Sequence, residues 1–119
     1  MSDARKELGS SGEEAVARLY ASRGYRVLAR NWRCRLGELD LILALGDLLV
    51  FCEVKSRKGS GFGGGYEAVT AAKRRKLRQL AEAFLAGLPE APPAVRFDVA
   101  SVGFRAGGAA EVELFEDAF

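Results

Sequence analysis

The 119-residue sequence contains no histidine. That absence excludes a Ser-His-Asp triad, a Cys-His pair, an HExxH zinc site and any histidine-based nuclease metal centre. Catalysis, if there is any, must rest on carboxylates, Lys, Arg, Tyr or a bound hard cation. Cysteine is scarce. Cys34 and Cys52 fit neither a disulfide framework nor a zinc spacing, and read as two reduced thiols of a cytoplasmic protein. No run of 18 apolar residues occurs, and the opening MSDARKELGS is polar, without the hydrophobic segment of a signal peptide. Neither a membrane span nor a secreted precursor is expected, so no membrane partner is either. The glycine-rich stretch GSGFGGG (59–65) matches neither GxxxxGK[ST] nor GxGxxG and reads as a flexible loop, not a nucleotide cradle.

What is present is enough apolar material, 49% of residues, for the ordinary core of one domain spanning residues 1–119. The net charge is only +2, but its distribution is uneven. Residues 23–78 hold 13 basic against five acidic side chains, a local net of +8, whereas from Arg96 onward five acidic face two basic. A basic middle beside an acidic end points to an anionic partner, with an ordinary solvated surface as the plain alternative.

Spacings of three and four among Leu8, Gly12, Ala15, Val16, Leu19 and Tyr20 predict a helix over 3–23, stopped by Gly24. YRVLARNW (25–32), GELDLILA (37–44) and 48–57 read as three strands of an antiparallel meander. A second helix is expected from about Tyr66 to Gly87, with Val69, Leu77, Leu80, Ala81, Phe84 and Leu88 on its inner stripe. LPEAPP ends it, and strands follow at 94–102 and 110–115. The order is that of an α/β sandwich with a mixed sheet.

The third strand, LLVFCEVKSR, breaks its apolar character at Glu53 and Lys55. Period two puts Leu49, Phe51, Glu53, Lys55 and Arg57 on one face. On the second strand the same period groups Glu38, Asp40 and Ile42 opposite Leu39, Leu41 and Leu43. A short hairpin then sets Asp40 beside Glu53. Glu13 borders the buried stripe of the first helix, while Glu14 precedes Arg18 by four residues and reads as a surface pair. Two carboxylates about 4 Å apart repel by about 4 kcal/mol at an effective dielectric near 20. Grouping Asp40, Glu53 and Glu13 therefore calls for protonation or a cation, and an all-oxygen set beside a Lys suits Mg²⁺ or Mn²⁺. The competing reading is a cross-strand Glu53–Lys55 ion pair at a sheet edge, with Asp40 solvated.

KRRKLR (73–78) adds five cations in six residues. Lys73 falls between Val69 and Leu77 on the inner stripe and is expected to point toward the sheet. Arg74, Arg75 and Arg78 are expected to face outward, where guanidinium groups suit phosphate oxygens. RNWRCR (30–35) supplies Arg30, Arg33 and Arg35 around Trp32, a second basic patch.

Taken together, GEEAVARLYASRGYRVLARNWRCRLGELDLILALGDLLVFCEVKSR, AVTAAKRRKL and RFDVASV resemble the YraN-like family of small bacterial proteins, over nearly the whole chain. That family is similar to the PD-(D/E)xK, restriction-endonuclease-like superfamily, and within it to archaeal Holliday junction resolvases. The resemblance implies an αβββαβ core with a central mixed sheet flanked by helices. It implies metal ligation by Asp40, Glu53 and the Val54 carbonyl, with Lys55 completing E-x-K and Glu13 matching a first-helix Glu. Leu39 stands where the motif's Pro would be. Lys73 matches a polar position on the second core helix. The activity implied is Mg²⁺- or Mn²⁺-dependent endonuclease cleavage of DNA, including branched DNA, by a homodimer. Arg30, Arg33, Arg35, Lys73, Arg74, Arg75 and Arg78 would contact nucleic acid. A non-catalytic nucleic-acid-binding module on the same scaffold, and a protein-interaction domain with no nucleic-acid role, stay open as alternatives. Binding that weakens with salt separates the first two from the third.

Overall fold

A computed structural model describes residues 4–56 and 69–119, with side chains described from residue 11 onward. Helix α1 (Ala4–Ser22) leads into a meander of β1 (Arg26–Cys34), β2 (Gly37–Leu45) and β3 (Leu48–Ser56). Helix α2 (Ala71–Ala86) then crosses to β4 (Ala94–Phe104), and β5 (Ala110–Phe115) closes the order. The five strands form one sheet in the order β1-β2-β3-β4-β5, with β3 and β4 parallel and the other neighbours antiparallel. Among the described residues this is an α/β fold with a mixed sheet between two helices, and it accommodates the restriction-endonuclease-like αβββαβ core. Among the described residues, no helix is long and apolar enough to cross a membrane.

Local chemistry explains the boundaries. Gly24, at φ 91°, ends α1 in the left-handed region, and the Tyr25 N–H returns to the Tyr20 carbonyl at 3.1 Å. Gly46, at φ 56°, makes the two-residue turn with Asp47 that joins β2 to β3. Thr70 caps α2, its side chain accepting from the Lys73 N–H, so the helix starts at Ala71, later than the apolar spacing indicated. Val69 is still buried, but ahead of the helix. Tyr66, Arg57 and the 59–65 loop lie outside the described residues.

The sheet has a core on each side. Toward α2 lie Leu39, Ile42, Ala44, Leu49, Phe51, Val99 and the helix residues Leu77, Leu80 and Ala81. Toward α1 lie Leu41, Leu43, Val50, Cys52, Ala100 and Val102, with Val16, Ala17 and Tyr20 from the helix. On β3 the alternation is unbroken, as period two required. On β2 it is not: Leu39 shares a core with Ile42, so the face switches around Asp40. On β1, Ala29, Trp32 and Cys34 share the α2 side across Asn31, whose φ of 50° marks the break, while the pairing with β2 shifts register earlier, between Val27 and Ala29. Cys34 and Cys52 are both free, one packed on each side of the sheet.

Candidate active site at the β2–β3 junction

The β2–β3 ladder pairs Leu41 with Cys52 and runs from there to the hairpin turn. One step beyond that last pair stand Asp40 and Glu53. Here the strands part, and the Asp40 side chain replaces a ladder bond: its Oδ2 accepts from the Val54 N–H at 2.8 Å. Asp40 is half-buried, and Glu53 is only 8% exposed, an uncommon place for a carboxylate. Glu53 acts on Asp40 both through its charge and through a side-chain hydrogen bond, each favouring the protonated carboxyl. Burial first, and the Glu53 charge second, push the Asp40 carboxyl up from its ordinary 3.8 to about 7, against the opposing pull of the Val54 N–H.

Glu13 reaches the same region from α1. Burial raises its carboxyl above the ordinary range, helped by the charges of Glu38 and Glu53, while a hydrogen bond with the Asn31 side chain opposes the rise. Gly12 explains how α1 comes close enough. A Cβ there would sit 3.3 Å from Ser56 Oγ and 3.7 Å from Val102 Cβ, so a larger residue would lift the helix off the sheet.

Two ammonium groups answer the negative charge. Lys55 Nζ lies 3.8 Å and Lys73 Nζ 3.5 Å from the same oxygen, Glu53 Oε1. The expectation that Lys73 points toward the sheet thus holds. The reading of Asp40 as a solvated residue beside an edge ion pair does not. β3 is an interior strand between β2 and β4, and Asp40 is drawn in against its backbone.

The basic residues divide into engaged and free. Arg30 pairs with Glu14, and Arg33 Nε lies 3.1 Å from Glu38 across the strands. Glu14 also meets Arg18 at 3.1 Å, as its spacing indicated. Arg35 and Arg75 are exposed. Arg78 is exposed as expected, but Arg74 is not. Arg74 is half-buried with its guanidinium 5.8 Å from the Phe119 ring centre, and Arg78 lies 5.1 Å from that of Phe97. Trp32 is not an aromatic element of the basic surface either, since it packs edge-on against Phe84 of α2 with centroids 5.4 Å apart.

Sequence spacing missed Asn31. Its one legible signal is its type, since Asn tolerates left-handed backbone better than other non-glycine residues. Spacing also missed Asp98, fully buried on β4. Asp98 accepts from Tyr20 Oη at 2.6 Å, from Arg96 Nε and Nη2 at 2.8 and 2.9 Å, and from the Asp117 N–H at 2.9 Å. With all four donors supplied, it is a structural clasp.

Among the described residues no three Asp, Glu, His or Cys side chains already form a metal-ligand cluster. The donor chemistry nonetheless fits a hard divalent ion. Mg²⁺ keeps several waters and needs only one or two protein carboxylates. Asp40 and Glu53 supply two whose mutual repulsion a cation would relieve, and Val54, the residue beside both, supplies a backbone carbonyl.

Residues 12–102 match the uncharacterised protein family UPF0102. A UPF0102 protein of Frankia alni is 49% identical over 116 residues, covering 98% of this chain and 97% of its own. One from Pelotomaculum thermopropionicum is 48% identical over 120 residues, the full length of both chains. One from Mycolicibacterium vanbaalenii is 50% identical over 100 residues, 84% of this chain and 83% of its own. The chain belongs to the UPF0102 family, the YraN-like family that its motifs resemble.

Proposed function

We propose that this protein is a divalent-metal-dependent endonuclease that hydrolyses phosphodiester bonds in DNA, branched or otherwise structured DNA included. The observation that carries the reading is the Asp40–Glu53 pair: two carboxyl groups one step past the last ladder pair, where the sheet opens, with that of Asp40 raised to about 7 by burial and by the Glu53 charge. A fold gains no packing from such a pair, and its repulsion is an expense that a bound ion would turn to use.

Asp40, Glu53 and the Val54 carbonyl would hold Mg²⁺ or Mn²⁺, which when bound supplies a polarised phosphoryl oxygen and a more acidic water. Lys55, 3.8 Å from Glu53 on the same face of β3, stabilises the negative charge that builds on the phosphoryl group as water adds and the phosphorus–oxygen bond breaks. Glu13, its carboxyl held above the usual range, is suited to orient that water and accept its proton. Arg35 and Arg75 are free to meet backbone phosphates. Arg78, exposed although its guanidinium lies over the Phe97 ring, can serve the same purpose.

The test is cleavage of a panel of linear, flapped and four-way-junction DNA with Mg²⁺, Mn²⁺ or chelator. Metal-dependent cleavage that Asp40→Ala and Glu53→Ala each abolish supports the reading. Cleavage that survives both substitutions sinks it.

The second reading, a non-catalytic nucleic-acid-binding module, draws on the two lysines: they already neutralise much of the Glu53 charge without a metal. It predicts salt-sensitive DNA binding and no hydrolysis with any divalent ion.

A further inference from the structure

Glu53 carries two ammonium groups on one oxygen, and they come from different elements. Lys55 is fixed two residues along β3 on the same face, so its position follows the strand. Lys73 reaches in from the first turn of α2, where its own N–H is bonded to Thr70 Oγ1 at 3.2 Å. Its backbone is therefore held, while its side chain is 41% exposed against 8% for Glu53. The ammonium can leave Glu53 by rotation of a solvated four-carbon stem, with no movement of helix or sheet.

Two different ligands would push Lys73 the same way. A divalent cation at Glu53 repels the ammonium 3.5 Å from that carboxylate. A polyanion arriving at the exposed Arg75 and Arg78 attracts it, because Lys73 is the first cation of the same helix. We propose that Lys73 couples the two ligands. It neutralises Glu53 when neither is bound, passes to a phosphate when a polyanion docks on α2, and so frees Glu53 for the divalent ion. Coupling of this kind is reciprocal: metal and polyanion each raise the affinity for the other by the same factor. The inference rests on the metal and nucleic-acid reading above and adds to it the order imposed by a shared counter-ion.

The experiment has two arms. In the first, Mn²⁺ alone is titrated into wild type, Lys73→Gln and Lys76→Gln. In the second, the affinity of a fluorescent DNA duplex is measured with and without Mn²⁺ at constant ionic strength, and the duplex is checked for integrity after each titration. Lys76→Gln removes the same charge one turn on, from a side chain whose stem lies over Gly37 of β2 instead of at Glu53. We expect Lys73→Gln to bind Mn²⁺ alone about tenfold more tightly than wild type. Its ratio of duplex affinities with and without Mn²⁺ should fall about tenfold below that of wild type, while Lys76→Gln keeps both wild-type values. Wild-type behaviour of Lys73→Gln overturns the inference, because Lys73 then couples nothing, as does Lys76→Gln matching Lys73→Gln, because the effect is then one of overall charge. Absence of Mn²⁺ binding by the wild type overturns the metal-site reading itself, and this inference with it.

Discussion

Between its ordinary value of 3.8 and its folded value of about 7, the Asp40 carboxyl binds a proton in the native protein that the unfolded chain releases. Stability should therefore fall as the pH rises through that window, the reverse of a salt-bridged Asp. The full shift corresponds to about 4 kcal/mol, and partial solvent access reduces the expectation to about 2 kcal/mol. Urea titrations from pH 4 to 8 in chelator should record this loss. Asp40→Asn should flatten the profile, and Mg²⁺ should restore wild-type stability at the high-pH end. A wild-type profile that rises between pH 4 and 7 contradicts this account of the pair. Lys55 sits differently. If its task is to stabilise charge at the phosphoryl group, Lys55→Gln should slow cleavage by about 10²- to 10³-fold without weakening Mn²⁺ binding. At this scale much of the site was legible: Glu53 and Lys55 stand out because charges in an apolar strand are conspicuous. The direction of Asp40 was not, since it depends on where the β2–β3 ladder stops, and that is a property of two strands together.

Helix α1 delivers Glu13 only because Gly12 lets it lie close to β3 and β4. Gly within a helix costs about 1 kcal/mol relative to Ala, so close approach is the compensating gain. Gly12→Leu should lower stability by about 1–3 kcal/mol in thermal or chemical melts and carry Glu13 away from Asp40. Gly12→Ala, meeting Ser56 Oγ at 3.3 Å, should be tolerated with a smaller loss. On the same side of the sheet, Asp98 ties α1 through Tyr20 and the residues after β5 through the Asp117 N–H. Asp98→Ala would leave the Arg96 guanidinium without its main partner and should cost about 3–5 kcal/mol. In hydrogen exchange it should also release the Ala118 N–H, which donates to the Phe97 carbonyl at 2.7 Å. The element order, the meander and the hairpin were readable because short links and unbroken patterns leave few topologies. The face switches at Asp40 and Asn31 were not, because a period-two reading assumes a continuous pleat, and the pairing register runs through both positions unshifted. The stacking of Arg74 and Arg78 was equally hidden. It depends on Phe119, more than 40 positions away in sequence, and on the tertiary fold that brings it to α2.

Over the whole molecule, the field matters more than the net charge of +2. The cations of β1 and α2 differ in how free they are. Arg33 is held by Glu38 and Arg30 by Glu14, whereas Arg35 and Arg75 face solvent. Arg35→Glu and Arg75→Glu should each weaken DNA binding across sequences and reduce its logarithmic salt slope by about 1. Arg33→Ala should change the slope little. Fluorescence anisotropy over a salt series separates these outcomes, and binding indifferent to salt would argue against a phosphate-contacting surface altogether. That surface meets the two carboxylates at Lys73, and a metal ion bound there is what would make the protein a nuclease. A crystal grown with Mn²⁺ and measured at the manganese edge tests it most directly. The expected result is an anomalous peak ligated by both Asp40 and Glu53, with Lys73 displaced from Glu53. No peak there, with the two side chains turned apart, would contradict it.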